Sequence, residues 1–93
     1  MRILEIINKE QISNFQFSKK DVLSSKEDQK LRMADLQRAQ TLGNLLQSKV
    51  KLTFESAEGI VYQVETTVWA VGNDYVSLKG GKVIPIISIH KVD

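Results

Sequence analysis

The strongest constraint in this sequence is a change of period near Gly43-Asn44. Before that point the residues are helix formers, chiefly Lys, Glu, Gln, Leu and Ala; after it Val, Thr, Ile, Tyr and Trp come in alternation. A helix and a strand bury apolar side chains at different spacings, so a chain that switches period must lay a helix against strands. With 93 residues there is room for one core and not for two. The halves are therefore read as one packed unit, with residues 1–44 an N-terminal arm and helix and residues 45–93 a small five-stranded β-barrel.

In the arm, Ile3, Leu4, Ile6 and Ile7 suit the apolar face of either a short helix or a strand, and Phe15 and Phe17 alternate like an edge strand. The segment is too rich in large apolar side chains for a free tail, and it is expected to dock on the core or on a second copy of the chain. The run Ser24-Ser25-Lys26-Glu27-Asp28 offers two overlapping capping boxes, with acids at the positive end of the coming helix. That helix is predicted to run to Thr41 or Leu42, with Gly43 or Asn44 ending it in a left-handed conformation. At helical spacing Leu31, Ala34, Ala39 and Leu42 share one face, while Met33 and Leu36 point away from it. Either Met33 and Leu36 are scattered surface residues, or the helix is wedged between its own barrel and another subunit or the N-terminal segment.

From Leu46 the period is two. A first strand is predicted over Leu46–Glu55, with Val50, Leu52 and Phe54 inward, and a turn at Ser56-Ala57-Glu58-Gly59. The second, Ile60–Val71, exceeds the usual strand length and is expected to bend sharply to serve both sides of a closed barrel. Gly72-Asn73-Asp74 is a turn, Tyr75–Lys79 a third strand with Val76 and Leu78 inward, and Gly80-Gly81 a hairpin. Lys82–Ile84, a ladder break at Pro85, one 3₁₀ turn at Ile86-Ile87-Ser88 and a closing strand Ile89–Val92 complete the pattern. The expected fold class is mostly β with an N-terminal helix, a small five-stranded SH3-like barrel.

This order resembles the Sm-like barrel family, which includes a ring-forming bacterial RNA chaperone. The resemblance spans Ser25–Val92 and rests on element order and on Gly59, Val76-Ser77-Leu78, Ile84-Pro85-Ile86 and Ile89. The phrase Glu65-Thr66-Thr67-Val68-Trp69-Ala70, with Lys79-Gly80-Gly81 and Ile84-Pro85-Ile86, is also similar to small uncharacterised bacterial proteins. What the resemblance implies is the barrel and, as an alternative function, RNA or DNA binding. The family's nucleotide-binding residues are not carried over: aligning Leu78 puts Tyr75 at the place of the base-holding Asn, Asn73-Asp74 falls out of register, and the second motif reads Pro85-Ile86-Ile87-Ser88.

Charge weighs against a generic nucleic-acid surface. Residues 1–49 hold nine Lys/Arg against six acids, and residues 50–93 hold four against five, so the basic excess sits on the arm and helix. The helix bases Lys26, Lys30, Arg32 and Arg38 are diluted by Glu27, Asp28 and Asp35. There is no cysteine, hence no disulfide or thiolate chemistry, which is compatible with a cytoplasmic location. No apolar run approaches the length of a membrane span.

His90, the sole histidine, lies beside Lys91 with only Asp93 as a nearby acid in sequence, and is read as a surface or edge-strand residue. Glu65, Thr66 and Thr67 are read as cross-strand partners, and Glu55 with Glu58 lacks a cleft to flank a sugar. No catalytic, cofactor-binding or metal site is expected, no small-molecule substrate, and no enzyme. Trp69 and Tyr75 flank the Gly72–Asp74 turn; they cover a barrel end, form the aromatic centre of a protein interface, or stack on bases. The expected function is that of a non-catalytic barrel module for protein interaction or self-assembly, a homo-oligomer or the ligand of a protein partner. Its candidate surface is Met33, Leu36, Trp69 and Tyr75.

Overall fold

The computed structural model describes residues 4–93, Leu4 by its backbone alone; Ile3, expected on the arm's apolar face, lies outside the described residues. The arm opens as a strand, β1 (Leu4–Ile7), followed by a 3₁₀ turn at Lys9–Asn14. Among the described residues there is one α-helix, α1, which runs Lys26–Leu46. Six strands follow: β2 (Val50–Glu55), β3 (Val61–Thr66), β4 (Val68–Val71), β5 (Tyr75–Leu78), β6 (Val83–Pro85) and β7 (Ile89–Val92), with a 3₁₀ turn at Ile86–Ser88 before the last.

These strands make two open sheets, ordered β1-β3-β2-β7 and β4-β5-β6. The architecture is a mixed α/β domain, which corrects the expectation of a mostly-β, SH3-like closed barrel. Three features account for the difference. The arm strand β1 adds in parallel to β3, with Leu4 opposite Val61 and Ile7 opposite Val64, and so takes up the free edge of β3. The long predicted second strand is broken at Thr67, whose carbonyl accepts from Lys79 N at 2.9 Å, and its two parts enter different sheets. The helix packs on β4 and β7, the edge strands that closure would have had to join.

One core lies between the sheets and the helix. Leu52, Phe54, Val64, Val68, Val76, Leu78, Ile84 and Ile89 are fully buried, joined by Ile12 from the arm and Leu36 and Ala39 from α1. The inward residues expected of the third strand are confirmed, as are Leu52 and Phe54 on β2. Past Thr67 the alternation changes phase at a bulge between Val68 and Ala70, so Val68 is buried while Trp69 and Ala70 are both exposed. Gly80 and Gly81 take φ of 94° and 88°, the left-handed region that makes this hairpin a glycine site.

The helix starts where the sequence indicates, with Ser25 Oγ accepting from Asp28 N at 3.4 Å. It does not stop at Gly43. The helix continues one further turn to Leu46, and Gln47 provides the left-handed cap at φ 56°. Gly43 is instead a contact point, buried with its Cα against the Val68 carbonyl, where an added Cβ would collide with that backbone oxygen. Gly→Ala in an exposed helix gains about 1 kcal/mol. At Gly43 the collision is with backbone held in a sheet, so Gly43→Ala is expected to reverse the sign and cost about 2 kcal/mol. A lower denaturant midpoint with unchanged slope is the measurement that checks it.

The helix is also turned the other way about its axis. Arg32, Leu36, Ala39 and Gly43 face the core, Met33 packs half-buried at their side, and Leu31, Ala34 and Leu42 face solvent. Small Ala39 and Gly43 let the helix lie close on β4, a fit that a leucine face would prevent.

Candidate functional site

Of the four residues expected to form an interaction surface, the structure does not bring all together. Leu36 has no exposed surface and is a core residue; Met33 is half-buried against the core. Trp69 and Tyr75 are exposed, on β4 and β5, and Tyr75 lines a groove. Trp69 stands between two contacts that tie β4 to the helix: Gly43 against Val68, and Val71 N donating to Gln40 Oε1 at 2.7 Å.

Of the apolar surface that does exist, the sequence pattern read Leu31, Ala34 and Leu42 as the packing face, left Leu45 unassigned and gave Leu46 to the first strand. On α1, Leu31, Leu45 and Leu46 are 62%, 74% and 69% exposed, and Leu42 joins them. Leu31, Leu42 and Leu45 form with Ala34 a stripe along the side of the helix opposite Leu36, and Leu46 lies to one side of it at the helix end. Arg38 lies within it, paired to Asp35 at 3.0 Å.

A groove of about 490 Å³ runs between the arm residues Phe15–Lys19 and the edge of β6, floored by Phe15, Phe17, Tyr75, Val83, Pro85 and Ile87. It continues past Val83 to Lys82 and Ser13. The arm is held in place by its rings: Phe15 lies 4.5 Å from Tyr62 and 5.9 Å from Phe54, and Phe17 lies 5.4 Å from Phe54. A second cavity, about 430 Å³, sits at the end of β1, where Lys9, Lys49 and Lys79 are offset by Glu10 and Glu65.

Two polar pairs were missed by sequence reasoning because their partners are far apart in the chain. Arg32, buried inside the helix–sheet contact, donates from Nη1 and Nη2 to the two carboxylate oxygens of Asp21, both at 2.8 Å, and from Nη1 to the Ile89 carbonyl at 3.1 Å. Those hydrogen bonds, opposed in part by burial, hold the Asp21 carboxyl below its ordinary pKa. His90 Nε2 lies 2.8 Å from Glu55 Oε1, across the β2–β7 ladder. Arg32 is thus not available as one of four surface bases, and Arg38 is tied to Asp35. Among the described residues no cluster of His, Cys, Asp and Glu is arranged to hold a metal ion, and no helix is long and apolar enough to cross a membrane.

No protein family, curated protein or solved structure matches the chain. The resemblance to the Sm-like family is therefore withdrawn: its element order described a closed barrel, and the sheets are open. The barrel-module function falls with it, and so does the nucleic-acid alternative, which rested on the barrel and on the helix bases.

Proposed function

We infer that the chain acts as a homodimer, its copies paired through the leucine face of α1, in a binding role without catalysis. The observation that carries this reading is the stripe of leucines left exposed while Leu36 and Ala39 fill the core side of the same helix. Contiguous apolar surface of this kind marks an interface, whereas single exposed residues do not. The spacing suits a second copy. Leu31 and Leu45 lie two helical turns to either side of Arg38, and Ala34 and Leu42 one turn to either side. An antiparallel copy related by a two-fold axis near Arg38 sets Leu31 against Leu45 and small Ala34 against Leu42. Arg38 brings its own neutralising carboxylate, Asp35, to the crossing. We place this dimer in the cytoplasm, with which a cysteine-free sequence is compatible.

Light scattering on a sizing column at about 0.1 mM, enough to populate a dimer of micromolar Kd, tests it. The expected result is the mass of two chains for the native protein and of one chain for Leu45→Glu, which keeps the native circular-dichroism spectrum because Leu45 is exposed in the single chain, and loses only the concentration-dependent part of the thermal midpoint. A native mass of one chain, or a variant that stays dimeric, overturns the reading.

A further inference from the structure

The groove between the arm and β6 is bounded on both sides by extended backbone, and on each side an N–H and a C=O point away from their own sheet. On one wall, β6 pairs antiparallel with β5. The ladder is bracketed by Leu78 N donating to Lys82 O at 2.8 Å and Ile86 N donating to Asp74 O at 2.9 Å. Bonded and non-bonded pairs alternate in such a ladder, so Ser77–Val83 and Tyr75–Pro85 are non-bonded pairs. Val83 therefore directs its N–H and C=O outward, and the missing N–H of Pro85 costs the ladder nothing.

On the other wall, Ala57 N donates to Gln16 O at 2.8 Å and Ser18 N donates to Glu55 O at 3.1 Å, around an antiparallel bridge of Phe17 with Ser56. The same alternation turns the N–H and C=O of Phe17 away from Ser56. Phe17 and Val83 line the same groove. The walls run in one direction: Lys82 Nζ reaches Ser13 Oγ at 3.4 Å at one end, and Val22 N donates to Ile87 O at 2.9 Å at the other. One strand entering antiparallel to both walls meets the outward groups of each. Around the groove the lining charges are Lys19 and Lys82, with no acid among the residues that line it.

We propose that this groove binds a short extended peptide from a partner protein, inserted as a strand between β6 and the arm, with apolar side chains on the Phe15–Tyr75 floor and an acidic residue at Lys19 or Lys82. Backbone pairing supplies the affinity, and alternate side chains supply the specificity. The site is separate from the leucine face of α1 and does not depend on dimerisation.

The test is selection of a displayed library of short random peptides on the full chain, followed by titration of the enriched sequences against variants. Enrichment of peptides alternating apolar residues with Asp or Glu is expected. Val83→Pro removes the outward N–H at an exposed edge position and is expected to weaken binding about tenfold. Lys19→Glu with Lys82→Glu is expected to do the same for the acidic peptides, at an unchanged thermal midpoint. Leu45→Glu is expected to bind the peptides as the native protein does, so loss of the dimer and loss of the groove are told apart. No enrichment, enrichment of basic or non-extended sequences, or equal binding to Val83→Pro overturns the proposal.

Discussion

Phe54→Ala is expected to remove about 4 kcal/mol of stability, the usual cost of emptying a buried aromatic site. Phe54 is fully buried on β2, and the rings of Phe15, Phe17 and Tyr62 all lie within 6 Å of its own. Its loss acts twice: it opens a cavity in the core, and it removes the ring on which both arm phenylalanines rest. The second effect separates this change from a generic core truncation. Trypsin should cut after Lys19 or Lys20 much faster in Phe54→Ala than in Leu78→Ala, a core substitution on β5 that none of those ring contacts involves, when both are measured well below their midpoints. Domains of this size hold roughly 5–15 kcal/mol in total, so the variant should also be close to its folding limit. Phe54→Leu, which keeps most of the volume, should lose about half as much.

Arg32→Ala is expected to cost about 3 kcal/mol. The guanidinium is buried, and its removal takes one donor from the Ile89 carbonyl and two from the Asp21 carboxylate, which keeps the Leu23 N–H at 2.9 Å. Asp21 is a quarter exposed, so water recovers part of its loss, and most of the cost arises on the Arg32 side of the pair. The Nε of Arg32 is itself buried without a hydrogen-bond partner. Arg32→Met, which retains the apolar stem of the side chain, should therefore lose less than Arg32→Ala.

The pair also sets a pH dependence. Asp21 has a lower pKa folded than unfolded, so its contribution is fully present above the unfolded value, about 3.9, and fades as pH falls through the folded one. The stability gap between the native protein and Arg32→Ala should accordingly be constant near neutrality and narrow below about pH 4. Denaturant midpoints of the two proteins across that range check it.

Most of the local structure could be read from the sequence, and most of the assembly could not. Ser25 as a cap, Val76 and Leu78 as inward residues, the Gly80-Gly81 hairpin and the turn at Ile86–Ser88 are all set by neighbours a few residues away. The same reasoning placed Ala39 on the packing face of α1 but set Leu31 and Leu42 beside it, because hydrophobicity alone ranks both above Gly43 as core residues. The helix buries the small pair since β4 comes too close for anything larger. The leucine stripe was thus visible as a face but assigned to the wrong side. The barrel was inferred from strand count and length, and neither quantity carries the parallel docking of β1 or the break at Thr67. Arg32–Asp21 and Glu55–His90 depend on which segments meet, and the groove depends on both sheets and the arm at once.

The parallel pairing of β1 with β3 has a consequence for how the chain is made. Leu4–Ile7 are synthesised long before Val61–Val64, and the bonds between them wait for the intervening helix and β2. Arg32 waits longer still, for the Ile89 carbonyl on β7, the same strand that flanks β2. During translation the arm strand is thus without its partner until β3 emerges, and Arg32 without the Ile89 carbonyl until β7 emerges. A chain of this topology therefore folds late, its apolar arm strand having no sheet to pair with until β3 has been made.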